Sequence, residues 1–369
     1  MTVKDQLILN LLALGVGNRV EAGPALLSQQ IDWRALIDQT MRWGLDALAF
    51  DGVQALYERW PELTGELDAS LGEIKFEWLG LTLQAEQDYE AYRRTLQHLA
   101  AFYQEEGIPM LLLKGYGLSL DYPVPQHRPT GDIDIYLYGE WERADRALAE
   151  KRGVRIDSSH HHHTVFTFEG RTVENHYDIL NIYSRASSRR LEAVLKEKAN
   201  EGWREISVEG SVLRLPGADF NALFLLRHAA SHFASVDINL RQLLDWLLFV
   251  QHHGHEVDWP WLYGILRREN MDRFANILHA IGVRYLGFDP SVVPAIETDT
   301  ALVDRVLAEI LHPSYQDQEN GTLLHSLWVK PTRWWHNRWK HRLCFSDSLL
   351  STFLHNLHSK FLKPSHFLH

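Results

Sequence analysis

Cysteine is almost absent from this chain of 369 residues. The single one, Cys344, can form no intrachain disulfide and no cysteine cluster for zinc, a usage that suits a reducing cytoplasm. Long apolar runs are missing too: none reaches the roughly 18 residues of a membrane span, so no membrane partner is expected. The first residues, Met1-Thr2-Val3-Lys4-Asp5, lack the apolar core and small-residue cleavage site of a secretory leader, and the expected location is cytoplasmic. Positive charge is also in short supply. Against 48 Asp and Glu stand 37 Lys and Arg, a formal net charge of -11, so a surface that holds nucleic acid by releasing counterions is not favoured.

What is present is the balance of a globular protein, 45% hydrophobic and 23% charged, with 13 Trp, 13 Tyr and 15 Phe to make a ring-rich core. The first hundred residues read as helical. Asp32 is a plausible N-cap before the spaced apolar residues Trp33, Leu36, Ile37 and Met41. A longer helix is expected from about Leu71 to Glu105, with Tyr89, Tyr92, Leu96, Leu99 and Tyr103 as one buried stripe. Gly107 and Pro109 end it.

At Ile108 the pattern changes. Met110-Leu111-Leu112-Leu113 reads as a buried strand, Lys114-Gly115 as a tight turn leading to a short helix that ends near Tyr122, and Pro123, Pro125 and Pro129 as a loop. Ile133 to Tyr138 alternates like a strand, and Glu140 to Lys151 reads as an exposed helix. Strands His163–Phe168 and Arg171–Ile179 are joined at Glu169-Gly170, a hairpin signal. From Asp219 to about residue 312 the helical period returns. The predicted fold is α+β: a helical region over residues 1–107, a small mixed sheet over 108–215, and a helical domain over 216–369.

The chemistry concentrates on Gly131-Asp132-Ile133-Asp134-Ile135. On a strand, side chains at i and i+2 share a face, so Asp132 and Asp134 project together while Ile133, Ile135 and Leu137 bury the other face. Two carboxylates held that close repel unless a cation lies between them, and removing one of them is expected to relieve the strain. Hard divalent ions such as magnesium or manganese fit oxygen ligands, and two of them about 3.5–4 Å apart clamp the attacking and leaving oxygens of a phosphoryl transfer. An isolated D-x-D is more often a polar sheet edge; its setting here, behind Pro129-Thr130-Gly131 and downstream of a Lys-Gly turn, raises it above that.

That setting resembles the polymerase-beta-type nucleotidyltransferase superfamily, and within it a bacterial family with an L-K-G turn and an R-x-x-G-D-I-D strand. The matching residues are Leu113-Lys114-Gly115, Tyr122-Pro123 and Arg128-Pro129-Thr130-Gly131-Asp132-Ile133-Asp134. The likeness is sharp over Ile108–Leu137 and looser to about Leu180. It departs at the turn, where the superfamily usually has Gly-Gly or Gly-Ser at the hydroxyl contact to phosphate.

The resemblance implies transfer of a nucleoside monophosphate from a triphosphate such as ATP, with pyrophosphate released and two Mg2+ or Mn2+ ions held by Asp132, Asp134 and a third carboxylate. Glu174 in Thr172-Val173-Glu174-Asn175-His176 is chosen for the third place because alternation groups Thr172, Glu174, His176 and Asp178, and because it matches the family's acidic-x-His strand; Asp178 is the fallback. Lys114, Gly115, Arg128 and Gly131 are the expected nucleotide contacts, joined by Arg241 and Asp245 from an Arg-x-x-x-Asp helix. On residues alone, Arg241 and Asp245 read equally as a surface pair one turn apart. The resemblance also implies that His228 faces the cleft; on residues alone His228 and His232, at i and i+4, lack the acidic partner of a zinc motif and read as core or surface histidines.

The run His160–His163 opens a strand, with alternate members on the sheet surface and one of them lining the site; a stray metal affinity is the alternative reading. The basic stretch Arg333–Arg342 reads as a helix packing its Trp rings on the core. The acceptor, whether small molecule, peptide or protein, or RNA end, leaves no mark in the sequence. A catalytically silent nucleotide-binding scaffold is the alternative reading, and a D-x-D phosphohydrolase or glycosyltransferase a third.

Overall fold

The computed structural model describes residues 1–20, 31–183, 185–235, 238–294, 298–314, 336–349 and 352. Among the described residues the N-terminal helices are α1 (Val3–Gly15), α2 (Trp33–Trp43), α3 (Asp46–Arg59), α4 (Thr64–Leu71) and α5 (Ile74–Glu105). Asp32 caps α2 by accepting from the Ala35 amide at 3.0 Å. The helix expected from Leu71 starts instead at Ile74, because Gly72 takes φ 52°, ψ -138° and breaks the ladder between α4 and α5. The stripe Tyr89, Tyr92, Leu96, Leu99 and Tyr103 of α5 is buried.

The sheet is assembled from β1 (Leu111–Leu112), β2 (Ile133–Tyr136), β3 (Ile156–Asp157), β4 (His163–Phe168), β5 (Arg171–His176), β6 (Arg204–Val208) and β7 (Ser211–Leu215). Between these strands lie α6 (Tyr116–Ser119), α7 (Trp141–Arg152) and α8 (Ala186–Ala199). The spatial order is β3-β4-β5-β2-β1-β7-β6. β2 runs parallel to β5, β1 runs antiparallel to β2 and parallel to β7, and β4/β5 and β6/β7 are hairpins. The architecture is therefore α+β around a mixed sheet.

Several boundaries differ from those expected. β2 ends at Tyr136, since Tyr138 takes φ 54°. β5 stops at His176, where the Tyr177 and Asp178 amides turn to the His162 carbonyl at 3.1 and 3.0 Å. The Ile179 and Leu180 amides then donate to the Glu192 carboxylate. The hairpin β6/β7 adds an edge that the sequence reading passes over.

Beyond the sheet come α9 (Ala218–Ser235), α10 (Leu240–His253), α11 (Trp259–Arg268), α12 (Asp272–Leu286), α13 (Thr300–Leu311) and α14 (Arg338–Cys344). No described helix is long and apolar enough to cross a membrane. Of the basic C-terminal stretch, Arg333, Trp334 and Trp335 lie outside the described residues. Its remainder packs: Trp339 meets the Phe233 ring edge-on at 5.7 Å, and buried Lys340 pairs with Glu309 at 2.7 Å.

Candidate active site

The parallel pair β2/β5 sets Asp134 directly beside Glu174. Alternation determines which side chains meet. Ile133, Ile135 and Leu137 are fully buried on one face of β2. On β5 the corresponding positions are Val173 and Asn175, and Asn175 donates to Asp145 of α7 at 2.8 Å. The opposite face carries Asp132, Asp134, Glu174 and His176.

Asp134 is 2% exposed and anionic, held by cations on both flanks. From the β1 side Lys114 Nζ reaches its Oδ1 at 3.1 Å; from the β5 side His176 Nε2 reaches the same atom at 3.3 Å and Glu174 Oε2 at 3.4 Å. Burial works against ionisation of Asp134, yet Lys114 and His176 outweigh it and hold its pKa below the usual carboxylate value. Glu174 is likewise driven down to about 2 against its own burial, chiefly by the His176 hydrogen bond. Asp132 is the reverse case. Partial burial and the charges of Glu174 and Asp134 raise its pKa, with Lys114 and Arg241 only partly offsetting them. The expected repulsion thus falls on Asp132, while Asp134 is satisfied by protein cations. Asp134 Oδ2 is nevertheless buried without a hydrogen-bond partner.

Burial alone would keep His176 neutral, but Asp134 and Glu174 raise it to about 9. A raised cationic pKa contributes stability that is complete below the unfolded value, about 6.5, and lost as pH rises through the folded one. In chelator-treated protein the melting temperature advantage of wild type over His176→Gln should therefore shrink between about pH 6.5 and 9. A pH-independent difference across that window would show that His176 is not the buried cation.

Lys114 and Gly115 form the turn from β1 into α6. Gly115 takes φ 70°, and a Cβ there would lie 2.5 Å from the Tyr92 hydroxyl, so only glycine fits. Lys114, Gly115, Arg128, Gly131, Asp132, Asp134, Arg241 and Asp245 all line one cleft of about 680 Å³, closed by Leu225 and His228 of α9. Glu174 adjoins Asp134 on the β5 side and is not part of this lining. Asp178, the fallback carboxylate, instead pairs with Lys196 of α8 at 2.6 Å.

The cations in the cleft divide their work differently from the local reading. Asp245 does not pair with Arg241, its neighbour one turn away. It takes a two-pronged bond from Arg128 (Nε to Oδ1 2.8 Å, Nη2 to Oδ2 2.9 Å), and the Tyr122 hydroxyl donates to the same carboxylate at 2.9 Å. All three side chains are buried. Arg128 thereby ties the loop before β2 to α10, and Asp245 raises its pKa despite burial. Arg241 is left with a buried Nε that has no partner, and burial together with Arg128 lowers its pKa.

Breaking one partner of a buried ion pair leaves the other uncompensated, at about 3–5 kcal/mol. Arg128→Ala should therefore destabilise the protein by about that amount, as measured by denaturant unfolding. An unchanged midpoint would return Arg128 to a purely ligand-binding role.

Two histidines hold this frame: His127, which the sequence reading does not single out, and His228, which the resemblance already places at the cleft. His127 is clamped between Asp51 of α3 (2.7 Å) and Glu86 of α5 (3.1 Å), which fixes the proline-rich loop. His228 accepts from the Gln242 amide at 3.4 Å, and burial beside Lys114 keeps its ring neutral. The histidine run also comes inward. Burial and neighbouring imidazoles push His162 down to about 2, and burial pushes His163 to about 4 in spite of Glu174, 3.9 Å away.

The donor set fits a hard divalent cation. Asp132, Asp134 and Glu174 supply only carboxylate oxygens, Asp134 Oδ2 is an orphan awaiting a partner, and the excess negative charge falls on Asp132 at the open cleft. Asp134, Glu174 and His176 also present ligand atoms within 4.8 Å of one another.

A family model described as an uncharacterised nucleotidyltransferase matches residues 29–286 of the chain. The solution structure of the antibiotic-resistance factor ANT(2'')-Ia is similar over 52% of this chain and 98% of its own, at 15% identity and a TM-score of 0.36. No curated protein matches the chain.

Proposed function

The chain belongs to the uncharacterised nucleotidyltransferase family whose model spans residues 29–286, and from that membership we propose that it moves a nucleoside monophosphate from a nucleoside triphosphate to an acceptor, releasing pyrophosphate, at a polymerase-beta-type site. One observation carries this reading beyond the family: the parallel register that sets Glu174 beside Asp134, whose buried Oδ2 has no protein partner. Asp132, Asp134 and Glu174 would hold Mg2+ or Mn2+, two ions in all. Bound there, such ions polarise the α-phosphate and stabilise the attacking and leaving oxygens.

The protein's own groups do the rest. Asp132 lines the open cleft and would meet the incoming triphosphate only as a ligand of the ion it holds. Lys114 sits at the phosphate end of the cleft; once Asp134 is neutralised, its ammonium is released to the triphosphate as a point charge. Arg241, with its unpartnered Nε, supplies the second cation, and Arg128 and Asp245 keep α10 at the correct distance. Glu174 accepts the hydrogen bond of the attacking hydroxyl. It takes that proton as the new bond to the α-phosphorus forms and the pyrophosphate leaves. The acceptor is a small molecule, a peptide or protein, or an RNA end, and the net charge of -11 disfavours a long nucleic acid.

Equilibrium dialysis with Mn2+ and a non-hydrolysable triphosphate tests the metal assignment: two Mn2+ per chain are expected, and none in a mutant lacking both Asp132 and Asp134 carboxylates. Fewer than two in wild type would overturn the two-ion site. For the nucleotide, Lys114→Ala and Arg241→Ala should each weaken triphosphate binding by about 1.5–3 kcal/mol, the worth of a charged hydrogen bond, and leave nucleoside binding nearly unchanged. Calorimetry on both ligands checks this, and equal weakening of both would remove these residues from the phosphate site.

A further inference from the structure

The run His160–His163 has no part in the scheme above, yet it delivers two imidazoles to the edge of the catalytic strand. One ring nitrogen from each of His162, His163 and His176 lies within 4.8 Å of the others. The ring centroids are 4.3 Å apart for His162 and His163, 5.1 Å for His163 and His176, and 5.5 Å for His162 and His176.

Two features separate this cluster from ordinary core histidines. Buried imidazole nitrogens are normally hydrogen-bonded, but Nδ1 of His162 and Nδ1 of His163 have no partner, and His163 is only 7% exposed. His176, for its part, can direct Nδ1–H to the Asp178 carbonyl at 3.3 Å, which leaves Nε2 facing inward. A metal-bound histidine is commonly oriented this way, with the remote nitrogen donating to a carbonyl. The backbone is fixed as well. The His162 carbonyl accepts from both Tyr177 and Asp178, pinning the start of β4 to the end of β5.

We propose that His162, His163 and His176 form a second metal site, selective for a borderline transition ion of the zinc type and distinct from the carboxylate site for magnesium or manganese. Imidazole nitrogens favour zinc, cobalt and nickel, whereas magnesium demands oxygen. A tetrahedral ion at about 2.0–2.1 Å from each nitrogen draws the three to within ~3.3 Å of one another, so small ring rotations close the site. Glu174, 3.9 Å from His163 and 3.4 Å from His176, offers a carboxylate oxygen for the fourth position. The two sites then share a boundary at His176, whose Nε2 either bridges Asp134 and Glu174 or carries the ion.

Cobalt is the probe, because its visible bands report nitrogen ligation. The full chain is titrated with Co2+ in excess Mg2+, as wild type, as His162→Ala/His163→Ala and as Asp132→Asn. Wild type should retain one Co2+ that Mg2+ does not displace. The double variant should bind one fewer, or bind it at least about tenfold more weakly, and Asp132→Asn should bind it as wild type does. Should the double variant fail to fold, His162→Ala alone, at the less buried of the two positions, must show the same loss. Displacement of cobalt by Mg2+, or undiminished binding in the histidine variants, overturns the second site. Failure of the carboxylate reading would be seen elsewhere, as wild-type turnover in Asp132→Asn with the cobalt result unchanged.

Discussion

Asp134→Asn should reduce turnover by about 10³-fold or more at saturating Mg2+, because a carboxylate that positions two cations contributes several kcal/mol at 1.36 kcal/mol per tenfold. The same substitution should lower the melting temperature of metal-free protein. Asp134 is held ionised by Lys114 and His176 at 3.1 and 3.3 Å, so its folded pKa lies below the unfolded one. A depressed acid contributes stability above its unfolded pKa and loses it as pH falls, so the contribution is in force at neutral pH and vanishes with the charge. Asp132→Asn should reduce turnover too, but its thermal effect has the other sign. Glu174 and Asp134 raise the Asp132 pKa, so its charge destabilises metal-free protein at neutral pH. Steady-state assays with melts in chelator measure both effects. Wild-type turnover in Asp134→Asn, or melting shifts of one sign in the two variants, would refute the division of roles.

Glu174→Gln is the second large effect. It keeps size and hydrogen-bonding shape but removes the charge, so an interaction with the acceptor and one metal is lost in the chemical step. Turnover should fall by about 10²–10⁴-fold with triphosphate affinity changed far less. Asp178→Asn should be close to neutral, as that carboxylate is occupied by Lys196. Single-turnover kinetics separate chemistry from binding. A large loss in Asp178→Asn with none in Glu174→Gln would exchange the two assignments.

The legible parts of the fold are those written in local pattern. Period-two alternation in Ile133, Ile135 and Leu137 identifies β2 and puts both aspartates on its free face. The Glu169-Gly170 turn marks the β4/β5 hairpin. Val208-Glu209-Gly210-Ser211 carries the same signal for β6/β7, with Glu209 at φ 48° as Glu169 is at φ 46°, but Leu213 and Leu215 are brief cues beside a highly charged helix.

Partner choice across long separations leaves no local trace. Asp245 has Arg241 one turn away, yet takes Arg128, 117 residues distant, because burial of Asp245 beside Tyr122 rewards a two-pronged guanidinium that only the loop before β2 delivers. The charge on His176 is hidden for the same reason: it follows from burial between two carboxylates, one of them on another strand. Asp132 and Asp134 look equivalent in sequence, and only the positions of Lys114 and His176 make them opposite in charge balance.

The central claim is that the α-phosphorus of a nucleoside triphosphate is transferred to an acceptor. Its most direct measurement is incubation of purified protein with host lysate, Mg2+ and each triphosphate labelled at either the α- or the γ-phosphate. The account predicts α-label attached to an acceptor and γ-label released as pyrophosphate, with both lost in Asp134→Asn. Label from the γ-position on the acceptor, or orthophosphate as the product, would contradict it.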